Sequence, residues 1–513
     1  MEDPYVPPRS DVKKISRFRQ ILPQIIATSA TIVLYLTMGM IIGFPTILIP
    51  ALTAKNSQDV LHLTMEQASW CGSVGCIFQP LGSIIAGLAL QPLGCKKSMM
   101  LLNIPLIACW LIVHFATSNY ALYFANGLFG CVMGLMTAPG LRYVIEISEP
   151  SLRGILVAST SLFISLGFSF IIFLNSLTDW RQTAAISASM PLLCVIILFQ
   201  VPETPMWLVS KGRSDAALKS LRWLRGWTDA ETVREEFEKI VSFTKNQNQK
   251  LLKRQWSGKV AEYKNCPTVE EAELAEPVAT SQGFCERVSK MFRDMTRKEM
   301  LIPLTKCCII FAINCFSGVP IIRTYMVKIF DDLNLPVDPK KASVWVALMG
   351  MLGNIGCMFV IKKFKKKPLF LASLACSALC LFSMAADLMG YLEGTVIASF
   401  HRWCHLTFAM ALFFFWNLGI QPIAWSYLGE ILPYKGRGPA TSVASSLYFI
   451  LTFVGIRTFP AMTEFLRLEG VLLFYAVVCV AGLFFTHFLP ETEGRHLSDI
   501  QAQDKEGAET EKL

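Results

Sequence analysis

The sequence predicts an all-α membrane protein of twelve transmembrane helices, arranged as two six-helix bundles. Of the 513 residues, 53% are hydrophobic and only 17% are charged, and the mean hydropathy of +0.46 is too high for a water-soluble protein of this size. The apolar residues fall in blocks of roughly 18 to 25, the length at which a helix crosses about 30 Å of hydrocarbon. A bilayer is therefore the expected solvent for most of the chain.

The apolar blocks and one long polar segment between them set the expected domain boundaries. Spans are expected at residues 22–50, 67–90, 98–117, 121–145, 154–175, 184–201, 302–330, 342–361, 369–390, 398–429, 438–460 and 469–489. The expected domains are a cytosolic tail at 1–21, a six-helix bundle at 22–201, a cytosolic linker at 202–301, a second six-helix bundle at 302–489 and a cytosolic tail at 490–513.

The linker combines helical and non-helical patterns. Leucines spaced along Ser214–Leu224 share one helical face, which predicts a short amphipathic helix. Thr228 and Glu231 have the spacing of a capping box and predict the start of a second helix. Residues 245–277 are rich in Lys, Gln and Glu and are expected to be disordered.

Basic residues beside the spans indicate the orientation of the chain. Lys96 and Lys97 follow the second span, Arg153 follows the fourth, and a lysine-rich run at 362–367 follows the eighth. Basic loops remain in the cytosol, so both termini are predicted to be cytoplasmic, with the protein in the plasma membrane and no cleaved signal segment. The net charge of +9 is assigned to these loops, and no nucleic-acid partner is expected.

Charged residues recur at matching places in the two halves, each at the cytosolic end of a span. An acidic residue and an arginine stand seven positions apart after the fourth and the tenth span, and a Pro-Glu-Thr sequence follows the sixth and the twelfth. The members are Glu146, Arg153 and Glu203 in the first half and Glu430, Arg437, Glu491 and Arg495 in the second.

Together with Gln421-Pro-Ile-Ala-Trp425, these motifs resemble the sugar porter family of the major facilitator superfamily over roughly residues 22–500. Arg457-Thr-Phe459 is similar to a stretch in the insect facilitated trehalose transporter-like branch. The resemblance implies a carrier with a midplane site and a cytoplasmic gate built from the seven charged residues. The alternative for these charges is that they only anchor the spans and cap helices.

Two loops depart from the family pattern. After the second span the family's acidic residue is missing, where this chain has Gln91, Pro92 and Gly94, and after the eighth span lysines replace the Asp-Arg motif. Asn126 stands where an arginine is usual. Part of the gate is therefore expected to be rebuilt with cations.

The predicted substrate site departs further. Ser161 stands where the family has Gln in the fifth span, Asn314 begins the seventh-span motif, and Arg323 with Thr324 replaces two tyrosines. The candidate lining residues are Ser161, Asn314, Ser317, Arg323, Trp425, Tyr448 and Phe449. A sugar is held by polar groups on its hydroxyls and an aromatic plane on its C–H face, so ordinary sugar affinity is in question. The alternative is that these side chains only pack the bundle.

Arg323 is the unexpected charge, because an unpaired cation inside a span is expensive. If it is central, an anionic or polyol substrate becomes possible. The alternative is that it lies in a water-filled outer vestibule or extends toward the membrane surface.

The function expected from the resemblance is facilitative uniport of a hexose or trehalose-class sugar by alternating access. The residue that corresponds to a proton-coupling Asp is Thr37, which does not titrate near neutral pH. The alternatives are a non-transporting sensor or scaffold, or a carrier of another polyol or an organic anion. No enzyme is expected, since the histidines His114, His401, His405 and His487 lack catalytic or metal partners, and no cofactor or metal is expected. The expected partners are the small solute and the lipid bilayer.

Overall fold

The computed structural model describes residues 16–54, 61–242, 244, 298–333, 335–390, 398–432, 437–487 and 489, and they are predominantly helical. The stretch expected to be disordered, 245–277, and the carboxyl-terminal tail lie outside the described residues.

Seven helices build the amino-terminal half, and the last two share one span. They are α1 (Arg17–Thr53), α2 (Met65–Leu93), α3 (Cys95–His114), α4 (Asn119–Ile147), α5 (Pro150–Leu177), α6 (Trp180–Ser187) and α7 (Ser189–Gln200). The first helix is longer than its predicted span because hydropathy marks only the part in hydrocarbon, whereas helical hydrogen bonding continues into the interface. Ser16 caps its start by accepting a hydrogen bond from the Arg19 N–H at 3.4 Å.

Short helices follow the first half. They are α8 (Pro205–Ser210), α9 (Ser214–Leu224) and α10 (230–242). The amphipathic helix predicted at Ser214–Leu224 is confirmed. The capping box predicted at Thr228 is wrong, because its buried hydroxyl makes no hydrogen bond, while its carbonyl accepts one from the Arg222 guanidinium at 2.7 Å.

The carboxyl-terminal half contains several interrupted helices. They are α11 (Lys298–Phe316), α12 (Val319–Asp332), α13 (Pro339–Phe364), α14 (Lys366–Leu388), α15 (Ala398–Phe415), a π-helical turn (Trp416–Ile420), α16 (Gln421–Glu430) and α17 (Arg437–Thr486). The seventh span is α11 with α12, and the tenth is α15, the π turn and α16. Arg467, at φ 59° and ψ 172°, divides α17 into the eleventh and twelfth spans.

The predicted twelve-span fold is confirmed. Ten of the described helical segments are long and apolar enough to cross a membrane, and one of them, Ala440–Thr486, has 47 residues and holds two spans. The 29-residue α2 supplies the remaining one. Large apolar side chains such as Phe359, Phe484 and Leu379 are mostly exposed, as expected for surfaces that face lipid.

Close backbone contacts bring the spans together where small residues meet. A Cβ atom on Gly39 would lie 1.9 Å from the Ile164 carbonyl oxygen, and one on Gly167 would lie 1.9 Å from that of Leu36. Helices α1 and α5 therefore touch backbone to backbone, which only glycine permits at these positions. This contact packs α5 against α1, and α5 also contacts α13 of the second half.

Candidate functional site

The seventh span is broken near the middle of the bundle. Gly318 has φ 92°, which side chains rarely adopt, and separates α11 from α12. Ser317 closes the break: its hydroxyl donates to the Asn314 carbonyl at 2.7 Å and accepts from the Trp416 indole at 2.9 Å. Discontinuous helices of this kind provide polar groups at midplane sites of carriers.

Asn314 is fully buried beside this break, and neither its Oδ1 nor its Nδ2 makes a hydrogen bond to the described residues. A buried amide without partners costs about 1–3 kcal/mol. Such a group is suited to bind a hydroxylated solute, which would satisfy both its donor and its acceptor.

An aromatic cluster brings together three of the predicted lining residues from two spans. The Trp425 ring centroid lies 5.7 Å from that of Tyr448 and 6.3 Å from that of Phe449. Phe311, which the sequence reasoning missed, lies 5.0 Å from Trp425 and 5.4 Å from Tyr448. Phe311 is one turn before Asn314 on α11, so the aromatic planes and the unpaired amide belong to one region.

Arg323 lies on α12 between the two halves. Its guanidinium carbon is 5.4 Å from the centroid of the Phe168 ring on α5, and its carbonyl accepts a hydrogen bond from the Thr46 hydroxyl on α1 at 2.8 Å. The residue is half-buried, and its guanidinium makes no ion pair or hydrogen bond to any described residue.

A second polar cluster joins the halves, and the sequence reasoning missed it. The Asn354 amide on α13 donates to the Ser165 hydroxyl on α5 at 2.5 Å and to Asn417 Oδ1 in the π turn at 2.9 Å. The predicted lining residue Ser161 is half-buried one turn before Ser165, and no hydrogen bond joins its side chain to the other candidates within the described residues. The sequence signal that could have revealed this cluster is the presence of two amides, Asn354 and Asn417, in the middle of apolar spans.

The gate residues of the first half bond within that half. Glu146 pairs with Arg142 on the same helix at 2.5 Å, and the Arg153 guanidinium donates to the Ser148 carbonyl at 3.3 Å. Glu203 accepts from the Lys96 N–H with both carboxylate oxygens at 3.1 Å, so it caps the start of α3.

Burial raises the pKa of the Glu203 carboxyl above its ordinary value. Hydrogen bonds from the backbone N–H groups of Thr204, Lys96 and Lys97 act in the opposite direction. The charged carboxylate is therefore held at the helix start by main-chain donors, against the effect of its burial.

Glu430 of the second half also bonds within its own half. It accepts from the Lys366 ammonium at 2.5 Å and from the Ser426 hydroxyl at 2.8 Å. Lys366 belongs to the lysine run that stands in place of the family motif after the eighth span. The side chain of Arg437 and the whole of Glu491 and Arg495 lie outside what the structure describes.

The two halves repeat one lysine contact at the ends that the sequence predicts to be cytosolic. The Lys96 ammonium donates to the Val201 carbonyl at 2.8 Å, and the Lys367 ammonium donates to the Leu489 carbonyl at 3.0 Å. Each acceptor stands two residues before the glutamate of a Pro-Glu-Thr sequence. Before each lysine-bearing helix, the backbone has positive φ: Gly94 at 82° in the first half and Lys365 at 62° in the second.

The opposite ends of the halves, which the predicted orientation places outside the cell, are joined directly. Arg457 on α17 pairs with Glu66 on α2 at 2.6 Å, donates to the Ser69 hydroxyl at 3.0 Å and lies 5.0 Å from the centroid of the Trp70 ring. The Trp70 ring is 5.9 Å from that of Phe453. The described residues of the predicted gate bond within their halves, whereas Arg457 and Glu66 bond between the halves.

The family model for "Sugar (and other) transporter" matches residues 25–503. The chain belongs to this transporter family. Curated relatives include the facilitated trehalose transporter Tret1 of Apis mellifera ligustica, at 28% identity over 88% of this chain and 83% of that protein. Tret1 of Bombyx mori is 26% identical over 98% of this chain and 90% of that protein.

Solved structures show the same fold for this family member. The proton:xylose symporter XylE bound to 6-bromo-6-deoxy-D-glucose superposes with a TM-score of 0.67 at 16% identity, over 94% of this chain and 99% of the other. An inward-open XylE structure from E. coli gives 0.68 at 16% identity over the same shares. The predicted membership in the sugar porters is confirmed, and the relatives are transporters, so the exclusion of an enzyme is confirmed as well.

One titratable pair inside this sugar transporter family member was not anticipated. His405 Nε2 on α15 lies 3.1 Å from Asp387 Oδ2 on α14, and both side chains are buried. The sequence reasoning treated His405 as a packing residue because its partner is close only in the folded bundle. The pair lies within the second half, on helices that do not include the broken seventh span.

Proposed function

We propose that this protein is a facilitative uniporter that moves a sugar of the hexose or trehalose class across the membrane by alternating access. One observation carries the proposal: the halves are bonded to each other at their outer ends by Arg457 and Glu66, while Glu146 and Glu430 bond within their own halves at the cytosolic ends. A carrier in an inward-facing state requires this pattern.

The site between the halves supports sugar as the solute. Trp425 and Phe449 are half-buried aromatic rings that present faces for the C–H surface of a sugar, and Asn314 has unused hydrogen-bonding groups for its hydroxyls. Relatives named for facilitated trehalose transport support the same solute class.

The first span supports passive transport. Thr37 is fully buried, and its hydroxyl donates to the Val33 carbonyl at 2.9 Å, so it is part of the helix and has no proton to exchange near neutral pH. The net flux should follow the solute gradient alone. Uphill uptake driven by external acid would contradict the uniporter and would make Asp387 the first residue to replace.

We propose that the protein lies in the plasma membrane with both termini in the cytosol. The basic loops support this orientation. Lys96 and Lys367 lie on the cytosolic side in this orientation, and Glu66 and Arg457 lie outside. Labelling of a cysteine at Ser281 by an impermeant reagent outside intact cells would contradict it.

Uptake of labelled glucose, trehalose and other mono- and disaccharides into proteoliposomes tests the function. We expect saturable, gradient-driven uptake that is lost in Trp425→Ala. Uptake should be only reduced in Glu430→Ala, because Glu430 belongs to the proposed gate and bonds Lys366 and Ser426. A wild-type protein that binds a sugar without moving it would identify a sensor. The exposed Glu238→Ala variant is the control.

A further inference from the structure

Arg323 carries a charge that the described protein does not balance. Its guanidinium makes no ion pair or hydrogen bond to the described residues. The guanidinium carbon lies 5.4 Å from the centroid of the Phe168 ring. A cation–π contact stabilises a desolvated cation less than an ion pair with hydrogen bonds does.

The level of Arg323 in the membrane follows from its neighbours. Arg323 stands nine residues before the end of α12 at Asp332, which is about 14 Å along a helix. Phe168 likewise stands nine residues before the end of α5 at Leu177, and Tyr448 stands eleven residues after the start of α17. Arg323 and Phe168 therefore lie at the same depth, and all three residues lie well inside their spans.

The guanidinium lies beside the other half of the protein. A snorkelling arginine extends along its own span toward water, whereas the Arg323 guanidinium carbon lies 5.4 Å from the centroid of the Phe168 ring on α5. Above it, the Thr46 hydroxyl binds the Arg323 carbonyl, and the outer ends are closed by Arg457. The charge therefore faces the space between the halves.

Arg323 and the aromatic region share the broken seventh span. Asn314, which lies beside the aromatic cluster, stands nine residues before Arg323, on the other side of the break at Gly318. A solute between the halves would thus meet an aromatic and amide region at one end and an unbalanced cation at the other.

We propose that the solute carries an oxyanion group, a carboxylate or a phosphate, which binds the Arg323 guanidinium while its hydroxylated part contacts Trp425 and Asn314. The proposal rests on the proposed transport by alternating access, and it replaces the neutral hexose or trehalose as solute with an acidic sugar or polyol. A planar guanidinium matches either oxyanion with two parallel hydrogen bonds, and the low-dielectric surroundings strengthen them. Neutral hexoses leave the same cation without a partner.

The experiment compares four probes with the full-length protein in proteoliposomes: glucose, trehalose, glucuronate and glucose 6-phosphate. Initial uptake and thermal stabilisation by each probe are measured for the wild type, Arg323→Gln, Arg323→Lys and Phe168→Leu. Arg234→Gln is the matched control, since Arg234 is 75% exposed on α10 and far from the bundle interior.

We expect at least one anionic probe to be preferred over glucose, and Arg323→Gln to weaken that probe by about tenfold or more, since hydrogen bonds to charged groups are worth about 1.5–3 kcal/mol. Arg323→Lys should retain part of the preference, and the control all of it. Glucuronate and glucose 6-phosphate distinguish carboxylate from phosphate.

Other outcomes separate the proposals. If glucose or trehalose is moved as fast as the anions and Arg323→Gln leaves the ratio unchanged, the oxyanion proposal is overturned and the uniporter stands. If Phe168→Leu and Arg323→Gln slow all probes equally, Arg323 only joins the halves, which also overturns it. Anion binding that depends on Arg323, without uptake, supports the oxyanion site and overturns transport.

Discussion

Arg457 on α17 and Glu66 on α2 form an ion pair of 2.6 Å that joins the outer ends of the two halves. Arg457 also donates a hydrogen bond to the Ser69 hydroxyl on α2. The pair connects the eleventh span to the second. In the proposed alternating-access cycle these ends must separate to admit a solute from outside, so the contact would belong to one state only. Its strength therefore sets part of the balance between the two states.

Replacing either partner should shift the protein toward its outward-facing state. An exposed pair contributes about 0.2–1 kcal/mol, so Glu66→Gln should raise the ratio of outward- to inward-facing protein by about 1.4- to fivefold. Arg457→Gln should shift it further, since the Ser69 and Trp70 contacts are lost as well. The measurement is the labelling rate, from outside, of a cysteine introduced at Thr324, a buried residue behind this contact.

Glu464→Gln is the control for this prediction, because Glu464 is exposed at the same outer end and has no ion pair among the described residues. Mass spectrometry would localise the label, since native cysteines are also present. Equal labelling of the parent, Glu66→Gln and Arg457→Gln proteins would show that the outer pair does not influence the balance of states.

Asn314→Leu should stabilise the protein and abolish transport. The substitution removes an unpaired buried amide and keeps its approximate volume, so the free energy of unfolding should rise by about 1–3 kcal/mol. The same substitution at Asn354 is the matched control and should destabilise, because Asn354 donates two hydrogen bonds. Thermal midpoints in detergent and uptake assays give both readings, and destabilisation by Asn314→Leu would contradict the assignment of an empty binding group.

Lys365→Gly should raise stability. Lys365 has φ 62° and ψ 170°, a region that only glycine occupies freely, and residues held there cost about 1–3 kcal/mol. Lys363→Gly, two residues earlier in the helix, should instead lower stability by about 1 kcal/mol, through helix propensity. The thermal midpoint should therefore rise in Lys365→Gly and fall in Lys363→Gly. A lower midpoint in both variants would mean that the Lys365 side chain stabilises the protein by more than its backbone strain destabilises it.

Glu203→Ala should destabilise the first half by about 1–2 kcal/mol, because the start of α3 loses the carboxylate that accepts from its N–H groups. Glu238→Ala, on the exposed helix α10, should cost no more than about 0.5 kcal/mol. Unfolding measured with both variants tests whether Glu203 has a structural role beyond the gate. Equal midpoints would show that the cap contributes nothing.

The sequence predicted the membrane spans and part of the aromatic cluster, but not the contacts between helices. Length and hydropathy are local properties, so the twelve spans could be predicted, and the resemblance selected Trp425, Tyr448 and Phe449, which the structure brings together. The contact of Asn354 with Ser165 depends on how two helices are rotated against each other, which periodicity in either helix does not reveal. The Thr228 capping box failed because the helix begins at residue 230, so Thr228 lies one residue too early to cap it.

The hydrogen bond between Ser165 and Asn354 has a mechanical consequence. Each residue stands fifteen positions after the start of its helix, so the bond lies near the centre of α5 and α13. When two halves rotate about such a point, atoms far from it move most, and a bond at the point is preserved throughout the rotation. Substitutions at either end of the halves would then change the balance between the two states. Substitutions at Ser165 and Asn354 would instead weaken the contact about which the halves rotate and make both states less well defined.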